Sequence, residues 1–374
     1  MNRAQVLKEL AEKLPSCRDD NTKDIKVENC IGYTRVPLGL AGPLTIHGKH
    51  GRTVYAPLAT LEATLVAGCS RGCKAFQAMG GVKAAVLSEA ISRAPVFIFR
   101  SVDDALRFYH LVPTLQSSFQ TSCEKTSRYA RLFQVTPHII GKSVHVKFSY
   151  TCGDAAGQNM VTLATHCACQ EFLASEAGKD LGIVDFLVEG QLSSDKKLSW
   201  ENVKNGRGIE VMVWGSISDA VCQKVLGCST TRLRSALSKF EGGSMRSGHI
   251  GQNINTANIL AAMFIACGQD AASVLESGWS HLTADLDEDT KLLSLSLYFP
   301  SLLVGTVGGG TQYPTQREAL ELIGCHGVGK KFALAETIAA FALALDVSTV
   351  SAITNDTFAK SHQNLARIPN QVKL

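Results

Sequence analysis

Two segments with strand-like alternation bracket a long helical stripe, and this arrangement constrains the chain more than any other feature. Ile209 to Trp214 reads as one strand; Leu293, Leu295, Leu297 and Phe299 alternate with Ser294, Ser296 and Tyr298 to give another. Between them, over about Asn255 to Leu275, Ile259, Met263, Ala266 and Val274 recur at helical spacing, and Asp270 lies on the same stripe. An acid there is either an end-of-helix group reaching solvent or a basic partner, or a buried carboxylate with a shifted pKa. Spacing alone leaves both open. Upstream, Val144, Val146, Phe148 and Tyr150 alternate with His145, Lys147 and Ser149, as in a half-buried strand. Leu61 to Met79 reads as a helix whose face is Leu61, Leu65, Cys69, Cys73 and Phe76, with Gly80-Gly81 as its stop. A final apolar helix is expected over about Leu334 to Leu345.

The 374 residues are long for one core, so two or more domains are expected. The 37 basic residues nearly match the 33 acidic ones, which weighs against broad nucleic-acid binding but not against a local basic pocket. Met1 to Leu14 reads as an amphipathic helix through Val6, Leu7, Leu10 and Leu14, and Ser16 to Asp24 as a linker. No run of about 18 apolar residues is evident, so nothing is expected to span a bilayer and the chain as given is read as soluble.

The twelve cysteines lack the spacing of a disulfide scaffold, and reduced thiols in a cytosol-like compartment are expected. Cys167 and Cys169 beside His166 resemble metal ligands superficially, but residues two apart on a helix diverge and no second ligand pair follows, so no metal site is expected. Gly324 to Lys331 nearly matches a phosphate-binding P-loop. Lys331 stands where Ser or Thr should hold Mg²⁺, and no clean buried strand precedes it. No G-x-G-x-x-G opens a βαβ unit. Gly308-Gly309-Gly310 suits either a plain turn or close approach of a ligand to the main chain. Asp195-Lys196-Lys197 is either a solvated loop or a source of cations for a carboxylate or oxyanion, and His362 is either tail surface or a proton donor on a closing tail.

In order along the chain, these pieces resemble the catalytic domain of class I 3-hydroxy-3-methylglutaryl-coenzyme A (HMG-CoA) reductases. The resemblance runs over about residues 28 to 367. It rests on Glu28 to Gly32, Pro37 to Leu44, Leu58 to Glu62, Ser70 to Ala75, Ser92 to Val96, Gly153 to Met160, Ser194 to Lys197, Ile265 to Ala272, Pro300-Ser301, Gly305 to Thr311 and Lys360 to His362.

The resemblance implies reduction of HMG-CoA to mevalonate by two hydrides from NADPH, in isoprenoid biosynthesis. The implied catalytic residues are Glu62, Lys196, Asp270 and His362. Lys196 would stabilise the oxyanion, His362 protonate the departing CoA thiolate, and Glu62 supply the alcohol proton. Asp270 would couple with Lys196 and Glu62, which favours the buried-carboxylate reading of its stripe. Arg93, Asp195, Lys197 and Asn258 match positions that hold the hydroxymethylglutaryl group, and Arg71 a CoA-phosphate contact. Ser127, Arg128, Tyr129, Asp154 and Asn159 match the nucleotide-binding surface, and Arg367 an arginine near the NADPH 2′-phosphate.

Some positions depart from the family pattern. Leu61 and Ala63 flank Glu62 in place of Thr and Gly, Glu189 replaces a serine, Ser238 a lysine beside Lys239, and Asn255 a histidine. Ala156 and Gln158 replace methionines. These changes leave open a paralogue that binds substrate, inhibitor or a partner subunit but turns over poorly.

The implied fold is α/β (α+β): a large domain around a long central helix, an inserted small α/β NADP-binding domain and a short helical N-terminal segment. Expected boundaries are 1–28 for the N-terminal segment, 29–94 with 200–374 for the large domain, 95–186 for the insert and 187–199 for the lysine loop. A homodimer or homotetramer with intersubunit sites is implied. Family members are often membrane-anchored through an N-terminal region; this chain as given is expected to be cytoplasmic.

Overall fold

The structure, a computed structural model, describes residues 25–49 and 51–355, with isolated residues 5, 12 and 357. The expected N-terminal helix, as a segment, and the linker after it lie outside the described residues.

Ten strands are present among the described residues: β1 Leu38–His47, β2 Arg52–Ala59, β3 Val82–Arg93, β4 Val96–Phe99, β5 Arg131–Ile140, β6 Ser143–Thr151, β7 Ile183–Leu187, β8 Gly208–Ile217, β9 His281–Leu286 and β10 Leu293–Leu302. They join in the order β7-β4-β6-β3-β8-β10-β9, with β1 and β2 beside β3 and β5 beside β6. The pairings are antiparallel except β1 with β3. The three strands expected from alternation are β6, β8 and β10. In β10 the odd positions Leu293 to Phe299 are buried and the even ones face outward until Pro300, because only one face of that stretch meets the core.

Strand β3 ties the molecule together. Its first part, Lys83 to Ala90, pairs with β8; its end, Ile91 to Arg93, pairs with β6. Val82 and Ala84 belong to the larger apolar cluster, whereas Ile91 belongs to a second cluster with Phe97, Phe108, Phe148 and Val161. The strand thus leaves one core, enters the other, and delivers Arg93 where they meet.

Among the described residues six helices of ten or more residues pack on these strands: α1 Leu65–Gln77, α2 Val102–Leu111, α3 Gln158–Ala174, α4 Thr230–Ser247, α5 Thr256–Ala266 and α6 Lys331–Thr354. Helix α1 begins four residues later than its apolar pattern suggests. Helix α6 is longer at both ends than the expected Leu334 to Leu345, and it is the long central helix. It packs against α1, α5 and β8 and is apolar on nearly every side, as a helix enclosed by protein must be. Contrary to expectation, its length and composition do suffice to cross a membrane; 83% of its most apolar window is buried inside this fold. Its buried polar groups are paired. The fully buried Asp346 accepts the N–H groups of Ile254 at 3.1 Å and Asn255 at 2.9 Å, fixing the start of α5. Gly72 of α1 lets the two helices close up: a Cβ there would stand 1.8 Å from the carbonyl oxygen of Ala344.

The helix expected from Asn255 to Leu275 is not continuous. Helix α5 stops at Ala266, because Gly268 takes a left-handed φ of +67° and presses its backbone against Gly310, leaving no room for a Cβ. The Gln269 amide then clasps Gly305, donating to its carbonyl at 3.0 Å and accepting its N–H at 2.8 Å. Asp270 follows the break, accepts the Ala272 N–H at 3.1 Å and caps the short turn Ala271–Ser273. It is therefore not a buried carboxylate on an apolar stripe; its side chain is 38% exposed and reaches a basic partner.

Candidate active site

Lys196 stands in a loop held in an unusual backbone. Gln191, Ser194 and Lys196 all have left-handed φ, +70°, +55° and +55°. Such non-glycine conformations cost about 1–3 kcal/mol each and persist only where surrounding bonds over-determine them. Here Asn202 Nδ2 donates to the carbonyls of Ser194 at 3.2 Å and Lys197 at 2.8 Å, and Glu276 Oε2 accepts the Lys196 N–H at 2.9 Å. The Lys196 ammonium lies 2.9 Å from Asp270 Oδ2. That hydrogen bond raises the lysine pKa above its usual value against a smaller opposing effect of burial, so Lys196 is cationic at neutral pH.

Behind the lysine runs a chain of alternating charges. Arg93, at the end of β3, offers Nη1 to Glu189 Oε2 at 2.9 Å and Asp195 Oδ2 at 3.3 Å. Asp195 Oδ1 is 3.1 Å from Arg207 Nη2, an ion pair without hydrogen-bond alignment. Arg207 Nη1 meets Glu276 Oε2 at 2.8 Å, and both side chains are fully buried. Burial raises the Glu276 pKa while Arg207 pulls it down. A charge pair at this depth survives only with such partners, and it anchors the loop main chain at Lys196. Lys197 points its Nζ toward the Asp195 carbonyl at 3.5 Å and is exposed.

Glu62 sits just before α1, exposed, with its N–H bonded to Thr60 Oγ1 at 3.0 Å. Asn258, in the first turn of α5, donates Nδ2 to Glu62 Oε2 at 2.7 Å. Asp346, through the start of α5, thereby helps place the partner of Glu62.

Asp270 also lines a cavity of about 550 Å³ formed by residues 155–160, the Gly268 turn and Gly305 to Thr311. Asn159 lies in this wall; Asp154 lies beside it, its Oδ1 accepting the Lys331 N–H at 3.3 Å. Ser127, Arg128 and Tyr129 lie on the turn before β5, where the Arg128 guanidinium stacks 4.8 Å over the exposed Tyr129 ring and donates to its hydroxyl. Arg71 does not join the Lys196 cluster: it donates to Ser348 of α6, Nε to Oγ at 3.0 Å and Nη2 to the carbonyl at 2.7 Å. His362 and Arg367 lie outside the described residues.

Gly324 to Lys331 follows the helix Pro314–Leu322 rather than a strand, and Lys331 is consumed internally by Glu89 at 3.2 Å and the Gly153 carbonyl at 3.1 Å. Cys169 is buried, and Cys167 sits 3.8 Å from Glu171 Oε1. Sequence reasoning missed Arg207, Glu276 and Asp346. The signals were faint: an arginine between Gly206 and Gly208 at a strand start, a single acid directly after Val274-Leu275, and another inside the otherwise apolar run Leu343 to Val347.

A family model described as hydroxymethylglutaryl-coenzyme A reductase matches residues 2–367. The chain is 35% identical to the 3-hydroxy-3-methylglutaryl-coenzyme A reductase of Methanocaldococcus jannaschii, covering 91% of this chain and 84% of that protein. It is 37% identical to that of Aeropyrum pernix, covering 91% and 82%. Among solved structures, the class II reductase of Streptococcus pneumoniae bound to NADPH in open conformations superposes with a TM-score of 0.70 at 16% identity, covering 94% of this chain and 97% of that one.

Proposed function

The chain belongs to the hydroxymethylglutaryl-coenzyme A reductase family, and on that premise we propose that it reduces HMG-CoA to mevalonate and CoA at the expense of two NADPH. The observation that carries this reading is the Lys196–Asp270 pair, 2.9 Å apart, on the rim of the cavity that Asp270 shares with residues 155–160.

The cavity suits a dinucleotide in kind. Its volume lies within the ordinary range for cofactor clefts, and Gly308 and Gly309, whose Cβ directions face open space, let a ligand approach the main chain closely. NADPH, when bound, supplies the hydride of each reduction. Lys196 stabilises the negative charge on the substrate carbonyl oxygen, as an ammonium held ionised by Asp270. When the hemithioacetal collapses, the C–S bond breaks, and His362 gives the departing thiolate its proton. Glu62 gives a proton to the alcohol oxygen after the second hydride, with Asn258 holding its carboxylate. Arg93, Asp195 and Lys197 take the hydroxymethylglutaryl end, Arg71 a CoA phosphate, and Ser127 to Tyr129, Asp154, Asn159 and Arg367 the nucleotide. In support, Arg93 Nη1 reaches Asp195 Oδ2 at 3.3 Å, which ties the end of β3 to the loop that carries Lys196 and Lys197.

The finer assignments belong to the same reading. Class I is favoured by the identity to archaeal relatives, about double that to the class II structure. Residues 95–186 form the nucleotide-binding insert, in keeping with the second apolar cluster. A homodimer or homotetramer builds the site between subunits; exposed Leu38, Leu40 and Leu61, the last beside Glu62, are apolar surface that such an assembly would cover. A cytosol-like setting accords with the described cysteines, all of them free.

The test is loss of NADPH absorbance with HMG-CoA and purified full chain. Turnover with release of CoA thiol supports the reading. Binding of both ligands without turnover would replace it by a binding paralogue, the alternative that Glu189 on Arg93 favours.

A further inference from the structure

We propose that Glu189 is a specificity-determining residue, an internal carboxylate that occupies Arg93 and competes with the acid group of an incoming substrate. The proposal rests on reading Arg93 as the substrate-carboxylate ligand.

Four observations meet at this point. First, Glu189 Oε2 accepts from Arg93 Nη1 at 2.9 Å, closer than Asp195 at 3.3 Å, so Glu189 is the nearer acid on that guanidinium. Second, Glu189 is held in place. The Gly190 N–H donates to the Ala94 carbonyl at 2.7 Å, and a Cβ on Gly190 would lie 2.6 Å from His145 Nδ1 and 2.9 Å from Val96 Cβ. The backbone is pinned against the strand that follows Arg93, so only the side chain is free to move. Third, that side chain is bonded within its own loop, by the Ser193 hydroxyl and the Gln191 N–H, each at 2.7 Å. It fills an anion site with three donors, Arg93 included. Fourth, the charges do not favour a further anion. Arg93, Arg207 and Lys197 supply three positive charges, and Glu189, Asp195 and Glu276 cancel them with three negative ones, leaving no net positive charge. The Lys196–Asp270 pair adds one of each sign.

An arriving carboxylate must therefore either displace Glu189 from Arg93 or settle beside it against like charge. Either route weakens binding relative to a site where Arg93 faces an uncharged hydroxyl or amide. Glu189 thus sets how strongly the pocket holds acid-terminated acyl groups, and it does so through Arg93.

The experiment compares the 374-residue wild type with Glu189→Gln, which keeps one acceptor oxygen, enough for the Gln191 N–H, and removes the charge. Calorimetry with 3-hydroxy-3-methylglutarate reads the acid site directly, whether or not the enzyme turns over. The expected result is an affinity about tenfold tighter in Glu189→Gln, the scale of one charge contact at a partly desolvated site, and a lower KM for HMG-CoA with the KM for NADPH unmoved. Glu189→Ser serves as the second variant should glutamine disturb the loop. In an Arg93→Met background the gain should disappear, which a purely structural role for Glu189 would not produce. Unchanged or weaker binding in both variants, or a gain that persists without Arg93, overturns the proposal. Wild-type protein that never oxidises NADPH would defeat the functional reading alone, since the calorimetric comparison still decides this one.

Discussion

The Lys196 ammonium and the Asp270 carboxylate meet at 2.9 Å although each comes from an irregular segment, a left-handed loop on one side and the turn after a broken helix on the other. Their separate anchors, Glu276 on the Lys196 N–H and Gln269 on Gly305, are what make the meeting point fixed. Lys196→Ala should lower turnover by at least about a hundredfold, the usual consequence of losing an oxyanion partner, with an unchanged melting temperature. Near wild-type turnover would remove Lys196 from the chemistry.

Asp270→Asn separates charge from contact. Asp270 is the main cause of the raised Lys196 pKa, so its neutralisation lowers that pKa. The alkaline limb of the pH–kcat profile should move to lower pH. An unmoved limb would show that the lysine's ionisation does not limit the rate at high pH.

Two glycines of one helix should respond oppositely to alanine. At Gly72 the added methyl meets the Ala344 main chain, oxygen at 1.8 Å and carbon at 2.5 Å, so α1 and α6 must separate. Urea unfolding of Gly72→Ala should show a loss of about 1–3 kcal/mol or more. At Gly68 the nearest atom is Leu345 Cδ1 at 3.7 Å, and Gly68→Ala should be neutral or stabilising by up to about 1 kcal/mol. Equal effects at both sites would contradict the close helix crossing.

Asp346 should leave a pH signature on stability. Burial raises its pKa to about 6, above the ordinary carboxylate value. A folded pKa above the unfolded one means stability that is fully present below about pH 4 and is lost as pH rises through about 6. The stability of the wild type relative to Asp346→Asn should therefore decline by about 2 kcal/mol from pH 4 to pH 7. Urea titrations at several pH values measure it; parallel curves would show that Asp346 does not retain its proton in the fold. Both of its oxygens accept bonds from the start of α5, so the variant should also lose some Asn258 placement, seen as lower kcat.

Legibility in the sequence followed how local the cause was. Strand β10 could be read because one face is buried and the other is not. Strand β3 could not: its pairing shifts register between Val86 and Ser88, and its last three residues are buried on both faces between two cores. Helix α6 runs past the expected Leu345 because its polar Asp346, Ser348 and Ser351 interrupt the apolar run yet are buried and bonded. The break after Ala266 arises from contact between Gly268 and Gly310, which no periodicity encodes. In the site, spacing marked Asp270 and a charge run marked Lys196, each with two readings open, whereas Glu62 and all the catalytic roles were reached through motif resemblance. Arg207 and Glu276 escaped because their value lies in meeting each other from distant segments.

The most direct test of the central claim is a stoichiometry. With HMG-CoA limiting and NADPH in excess, NADPH oxidised and CoA thiol released are measured together in one reaction, the thiol with a chromogenic disulfide after quenching. Two NADPH per thiol, with mevalonate as product, is the expected result. No oxidation, or one NADPH per thiol with an aldehyde accumulating, would contradict it.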